Sequence, residues 1–180
     1  RSLGVTIVDA DHMARQAEQK GESALTQLAA VFGAEAITVE GELDRAWMRA
    51  QIFKDPSART QLEGILHPII YARIGQAMQT AFESGAAYVI VDVPLLVEQG
   101  YQSLFDRIVV VDCLPLQQLE RVRARDQTAD SQTQQIMQIQ ASRDLRLQAA
   151  TDLLDNTSSK EVLELQVNQL HKKFLGFSSC

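Results

Sequence analysis

The sequence predicts an α/β protein built on parallel strands. Short apolar runs alternate along the chain with helical segments, which is the pattern of a parallel sheet covered by helices. Each run is rich in aliphatic residues and contains or meets an acid at its end, as expected for a buried strand that stops at a polar edge. The four predicted strands are VTIVDAD from Val5, YVIVDVP from Tyr88, RIVVVDC from Arg107 and TDLLDN from Thr151.

Composition limits the class of protein. The chain has 180 residues, 46% of them hydrophobic, which suits one domain with a subdomain. A net charge of -6 argues against a broad nucleic-acid or membrane surface, because such surfaces need a basic patch. No apolar run reaches the roughly 20 residues that span a bilayer, and the first residues lack the cleavage region of a signal peptide. We therefore expect a cytoplasmic protein with free thiols at Cys113 and Cys180.

A helical insertion separates the first two predicted strands. Ser23, Asp44 and Asp55 are placed to cap three successive helices. Because Pro68 disfavours helical geometry in the residue before it, the third helix should end near His67 and a fourth should follow. The insertion is large enough to form a subdomain over the ligand edge of the sheet.

The segment after the third predicted strand, residues 116–150, is helical and rich in arginine. Arg121 and Arg125 stand one turn apart on one face. Guanidinium groups suit phosphate oxygens, so we interpret this segment as a mobile flap. The alternative is a solvated helix face with intrahelical ion pairs. The last segment is predicted to be a helix that packs on the core through Leu163, Val167, Leu170 and Phe174.

The end of the second predicted strand indicates a site. Open parallel sheets bind ligands at the carboxyl ends of their strands, and here Asp92 is followed by Pro94 and Glu98. The alternative is that Asp92 caps a helix or turn. On the insertion, Arg45 could bind an anionic ligand or be plain surface charge, and His67 is ambiguous alone.

The end of the first predicted strand carries two acids. If the strand stays extended, Asp9 and Asp11 share a face and could hold a metal or accept a proton. Asp11 could instead cap a helix that begins at His12. A strand followed by DxD also resembles the haloacid-dehalogenase phosphatases, in which Asp9 would be the nucleophile, although the later motifs of that family are missing.

Six motifs together resemble, in order and spacing, the dephospho-coenzyme A kinases, and they span essentially the whole chain. They are VDADHMAR, GELDRAWMRAQIF, ILHP, DVPLLVE, VVVDC with Pro115 and QLERVRARD, and QASRDLRLQAATDLLDN. The resemblance implies a three-layer parallel sheet of the P-loop kinase type with a helical substrate-binding insertion and a helical lid. It also implies that ATP, with Mg²⁺, phosphorylates the ribose 3′-hydroxyl of dephospho-CoA, the last step of CoA synthesis.

The same resemblance assigns roles to individual residues. Asp11 matches the general base that takes the hydroxyl proton, and Arg143 is the second catalytic position, in the lid. The dephospho-CoA pocket would comprise Arg15, Arg45, His67, Pro94, Leu95, Leu96 and Glu98. The ATP site would comprise Arg121, Arg125 and Asn156.

The resemblance also divides the chain. Members of the family open with a strand, a GxxxxGK[ST] loop and a helix, and no such motif occurs in this sequence. The expectation is that the first strand and the P-loop are absent here, so that the activity belongs to an intact protein and this chain alone is inactive. The predicted parts are an incomplete nucleotide-binding core at 1–11, 86–113 and 147–180, a substrate subdomain at 12–85 and a lid at 114–146.

Two other classes of function stay open on sequence grounds. One is a phosphohydrolase that uses Asp9 as its nucleophile, which predicts phosphatase activity without nucleotide. The other is a non-catalytic protein that binds a CoA-like ligand, or a partner, through the helical insertion.

Overall fold

The four strands predicted from the sequence are all present in the computed structural model, which describes residues 2–126 and 130–177. They form two separate parallel ladders of two strands each. The chain divides into two units, the first ending at Val93 and the second beginning at Pro94, and each unit contains one ladder. The α/β class is therefore confirmed. Among the described residues, no helix is both long and apolar enough to cross a membrane.

The first unit pairs two strands whose facing residues, such as Thr6 and Val89, are 83 positions apart in the chain. Its elements are β1 (Thr6–Asp9), α1 (Ala10–Ala17), α2 (Ser23–Phe32), a 3₁₀ turn (Ala34–Ala36), α3 (Arg45–Lys54), α4 (Pro56–Glu83) and β2 (Val89–Asp92). The ladder runs from Thr6 opposite Val89 to Asp9 opposite Asp92. Because the strands are parallel and end together, two carboxylates become neighbours at one edge.

The helices of this unit share an apolar core. Leu28 of α2 is fully buried, and Met48 of α3 and Leu66 of α4 belong to the same cluster. Burying each such side chain stabilises the fold by roughly 1.5–3 kcal/mol. Met48 anchors α3 in this core, and Arg45 is the first residue of the same helix.

The helix predicted to end near His67 continues through Pro68 as a single helix, α4. A proline inside a helix removes one hydrogen bond and crowds the preceding turn, at a cost of roughly 3 kcal/mol. Leu66 and Ile69, on either side of it, both pack in the core of the unit. The predicted break was wrong because burial of this helix face outweighs the local preference of the proline.

Two of the three predicted caps in this unit are confirmed. Asp44 accepts the backbone N–H of Trp47 at the start of α3, and Asp55 accepts that of Ser57 at the start of α4. Ser23 is not a cap, because it is already the first residue of α2.

The second unit contains the other ladder. Its elements are a 3₁₀ turn (Gln102–Leu104), β3 (Val109–Asp112), α5 (Pro115–Asp126), α6 (Asp130–Ile139), α7 (Arg143–Ala149), β4 (Asp152–Asp155) and α8 (Lys160–Phe177). The described part of residues 116–150 is thus helical, as predicted, but divided into separate helices. Phe174 of α8 is buried, in agreement with its predicted packing role, whereas Val167, which was predicted to pack on the core with it, is exposed. Cys113 is a free thiol, and Cys180 lies outside the described residues.

A buried carboxylate ties α8 to the strands of this unit. The Asp152 side chain is only 4% exposed and accepts hydrogen bonds from Nε of Arg107 at 2.6 Å, from Oγ1 of Thr151 at 2.9 Å and from Nζ of Lys173. Burial raises the pKa of Asp152, but these donors outweigh it and lower the pKa from 3.8 to about 2.

This arrangement predicts a loss of stability in acid. Because the pKa of Asp152 is lower in the folded state, its contribution is complete above about pH 4 and is lost as the pH falls toward 2. We expect Asp152→Asn to lower the free energy of unfolding at pH 7 by about 2 kcal/mol, with the difference from wild type shrinking below pH 4. Urea denaturation followed by circular dichroism at several pH values measures this. The exposed Asp106→Asn is the control, and equal stability of both variants at pH 7 would contradict the prediction.

Candidate functional site

Strand β1 passes directly into α1, and the acids at this junction have different roles. Asp9 is the N-cap of α1, with its Oδ1 accepting the backbone N–H of His12 at 2.9 Å. Asp11 already lies in the first helical turn. The expectation that the strand stays extended through Asp11 was therefore wrong, and so was the alternative that Asp11 caps the helix. The helix begins earlier than predicted because Asp9 supplies the cap.

The Asp11 carboxylate is available for chemistry. It is exposed, and among the described residues no side chain or backbone group donates a hydrogen bond to it. A carboxylate that no protein group engages can accept a proton from a bound hydroxyl group.

One face of α1 forms part of a depression of about 290 Å³. Asp11, Arg15 and Glu18 follow one another at helical spacing and so share that face. Ala14 and the first residue of α3, Arg45, complete the lining. The structure thus brings together three residues that the sequence analysis selected, Asp11, Arg15 and Arg45.

Glu18 is a member of this site that the sequence analysis missed. Its Oε2 lies 2.8 Å from Nε and 2.6 Å from Nη2 of Arg45. The partners are 27 residues apart, so no local spacing could have indicated the pair.

A larger depression, of about 460 Å³, lies along α4, but its lining has fewer charged side chains. Among the described residues, Arg73 is the only charged one in its lining, and it is paired with Glu22. Its other lining residues are Pro68, Ile69, Ala72 and Gln76. The smaller depression is therefore the better candidate for acid–base chemistry.

The second unit has its own group of polar residues where β3 and β4 end. Arg143, the first residue of α7, binds the Asp112 carboxylate with Nε at 2.9 Å and with Nη2 at 2.5 Å. Asp112 is 8% exposed, and the backbone N–H of Asn156 donates to its carbonyl at 2.7 Å. The hydrogen bond to Asp112 raises the pKa of Arg143, so this guanidinium stays charged. Asp112 was not selected from the sequence because its partner lies 31 residues away.

The segment that follows β2 is a series of turns that includes Pro94, Leu95 and Leu96. Glu98 in this segment accepts the backbone N–H of Ala141 at 2.7 Å and so connects the turns to the start of α7. Before the turns, Asp92 is exposed, and no cap hydrogen bond to its carboxylate occurs within the described residues.

The remaining predicted residues lie on helices. Arg121 and Arg125 are exposed and one turn apart on α5. His67 is half-buried on α4, with its ring 5.6 Å from that of Tyr71. Their binding roles stay predictions. Among the described residues there is no group of three or more His, Cys, Asp or Glu side chains that could hold a metal ion.

Comparison with known proteins gives the family. The sequence profile described as dephospho-CoA kinase matches residues 1–161. The dephospho-CoA kinase of Dechloromonas aromatica is 44% identical over 177 residues, covering 98% of this chain and 84% of its own length. That of Idiomarina loihiensis is 39% identical over 174 residues, covering 97% and 85%.

Solved structures agree on the fold. TT1252 from Thermus thermophilus superposes with a TM-score of 0.78 at 26% identity, covering 96% of this chain and 86% of its own. The dephospho-CoA kinase of Campylobacter jejuni superposes with a TM-score of 0.71 at 23% identity, covering 97% and 87%. With nearly the whole chain aligned to curated relatives, this protein belongs to the dephospho-CoA kinase family.

Proposed function

We propose that this protein catalyses the ATP-dependent phosphorylation of the ribose 3′-hydroxyl of dephospho-CoA, the final step of CoA biosynthesis. The relatives' shared name gives the reaction. The observation that supports it in this chain is the depression in which an unengaged carboxylate, Asp11, lies with the guanidinium groups of Arg15 and Arg45.

The depression suits the acceptor half of the reaction. Dephospho-CoA carries a diphosphate, and guanidinium groups bind phosphate oxygens by charge-assisted hydrogen bonds. Arg15 and Arg45 would orient the acceptor so that its 3′-hydroxyl faces Asp11. As the hydroxyl oxygen bonds to the γ-phosphorus of ATP, the bond to the leaving ADP oxygen breaks and Asp11 takes the hydroxyl proton.

The second unit suits the ATP half. Phosphoryl transfer depends mainly on positioning and on stabilising negative charge, which is the work of cations around the phosphates. Arg143 is the proposed catalytic cation, and its Nη1 is not needed for the pair with Asp112. Arg121, Arg125 and Asn156 would contact ATP, and His67 with residues 94–96 and 98 would contact dephospho-CoA.

Mg²⁺ belongs to this proposal as the partner of ATP. In phosphate-transfer sites it takes one or two carboxylates together with water and phosphate oxygens, so it does not need a three-residue protein cage. Asp92, exposed where β2 ends, offers an oxygen ligand of the right kind. When bound, the ion would neutralise charge on the phosphates. A cytoplasmic location with small-molecule partners completes the proposal.

The test is a coupled ADP-release assay on the protein as its gene encodes it. We expect release that depends on dephospho-CoA and that is at least about a hundredfold slower with adenosine, which has no phosphate, or with nucleoside monophosphates, which have no diphosphate for the arginines to hold. Comparable rates with a nucleoside monophosphate would contradict the substrate assignment. Phosphate release without nucleotide, abolished by Asp9→Asn, would favour a phosphohydrolase instead.

A further inference from the structure

We propose that Glu18 is a positioning residue for the acceptor, because its carboxylate holds the Arg45 guanidinium over the depression that contains Asp11. This inference rests on the proposed function, since it specifies how one arginine of that site is kept in place. Glu18 does not touch the reacting atoms in this scheme, and acts only through Arg45.

The geometry makes Glu18 the anchor and Arg45 the held group. The Glu18 side chain is 16% exposed, whereas that of Arg45 is 54% exposed. A single oxygen of Glu18, Oε2, contacts both Nε and Nη2 of Arg45. Within the described part of the chain no group accepts from Nη1, so this amino group can bind an anion.

The pair cannot be explained by the helices that carry it. Glu18 stands at the carboxyl end of α1, where the helix dipole disfavours an anion, and Arg45 stands at the first position of α3, where the dipole disfavours a cation. Each residue is therefore at the wrong end of its own helix and is stabilised by the other. A residue pair that serves only helix stability would have the opposite arrangement.

Electrostatics alone and positioning predict opposite results. The lining contains two acids and two arginines, so removing Glu18 makes the depression more positive. Coulomb attraction by itself would then strengthen the binding of an anionic acceptor. If Glu18 is needed to hold Arg45, its removal leaves the Arg45 side chain flexible in the free protein. Substrate binding must then order that side chain, and this entropy loss weakens binding.

The experiment compares Glu18→Ala, Glu18→Gln and wild type in the ADP-release assay on the gene-encoded protein. We expect the KM for dephospho-CoA to rise about fivefold or more in Glu18→Ala, the range of a charge-assisted hydrogen bond. The KM for ATP and kcat should each stay within about twofold. Glu18→Gln keeps an acceptor oxygen for Arg45, so its KM for dephospho-CoA should lie between those of wild type and Glu18→Ala. Calorimetric titration of dephospho-CoA without ATP should show the same order of affinities.

Two further variants separate positioning from general damage. Glu63→Ala removes a carboxylate of a comparable ion pair, with Arg59 on α4 at 2.8 Å, and should leave the KM for dephospho-CoA unchanged. In an Arg45→Ala background, Glu18→Ala should have no further effect, because its partner is already gone. An unchanged or lower KM for dephospho-CoA in Glu18→Ala overturns this proposal while leaving the proposed function intact. Absence of dephospho-CoA-dependent ADP release in wild type would instead defeat the proposed function.

Discussion

Replacing Asp11 with asparagine should lower kcat by roughly two to four orders of magnitude, the usual effect of losing a general base. Asparagine preserves the size of the side chain and its place in the first turn of α1, but it cannot take the proton of the acceptor hydroxyl. Because the carboxylate of Asp11 receives no hydrogen bond from the described residues, its loss should not weaken the fold. The KM for ATP should change little, since ATP binding is assigned to other residues.

The measurement is steady-state ADP release at saturating ATP and dephospho-CoA, with thermal unfolding recorded in parallel. Asp9→Asn is the matched control, because asparagine caps helices about as well as aspartate and Asp9 serves as the N-cap of α1. We expect that variant to retain kcat within about threefold. A normal kcat in Asp11→Asn would remove Asp11 from the mechanism. An equal loss of kcat in both variants would indicate that the negative charge where β1 meets α1 matters, rather than proton transfer to Asp11.

The strands were predictable because their signal is local. Four apolar runs that meet an acid at their ends gave all four strands, and the same acids, Asp9, Asp92, Asp112 and Asp155, are the last residues of the observed strands. Helix caps were predictable for the same reason where the capping side chain directly precedes the helix, as at Asp44 and Asp55. The continuous helix through Pro68 was not predictable, because it depends on a core assembled from several helices.

The same difference between local and long-range signals separates the site residues that were predicted from those that were missed. Arg15 and Arg45 were selected through resemblance to the family, and the structure puts both beside Asp11. Glu18 and Asp112 were missed because the role of each depends on an ion pair with an arginine that is distant in the sequence. A long-range ion pair leaves no periodic pattern in a sequence, so only coordinates reveal which of many surface acids hold a functional arginine.

Replacing Arg143 with alanine should lower kcat by about two to three orders of magnitude and should also raise the KM for ATP. The first effect is the usual one for removing a donor that stabilises developing charge on a transferred group. The second follows if the same cation also binds ATP in its ground state. Arg143 is suited to both because its pair with Asp112 uses Nε and Nη2 and leaves Nη1 for a phosphate oxygen.

Structural damage must be separated from this effect. Arg143→Ala leaves the Asp112 carboxylate, which is 8% exposed, without its charge partner. An unpaired buried carboxylate destabilises a protein by about 1–3 kcal/mol or more, so a loss of activity could arise from partial unfolding. Urea denaturation of wild type and variant measures this loss directly.

The double variant Arg143→Ala with Asp112→Asn decides between the two explanations. Neutralising Asp112 removes the unpaired charge, so most of the stability should return. If Arg143 stabilises the transferred phosphate, kcat should stay as low in the double variant as in Arg143→Ala. If Arg143 only neutralises Asp112, kcat and stability should recover together, and the assignment of a catalytic cation to α7 would be wrong. Both explanations predict a low kcat in Arg143→Ala, but they predict different values of kcat in the double variant. The recovery of kcat in the double variant therefore distinguishes them.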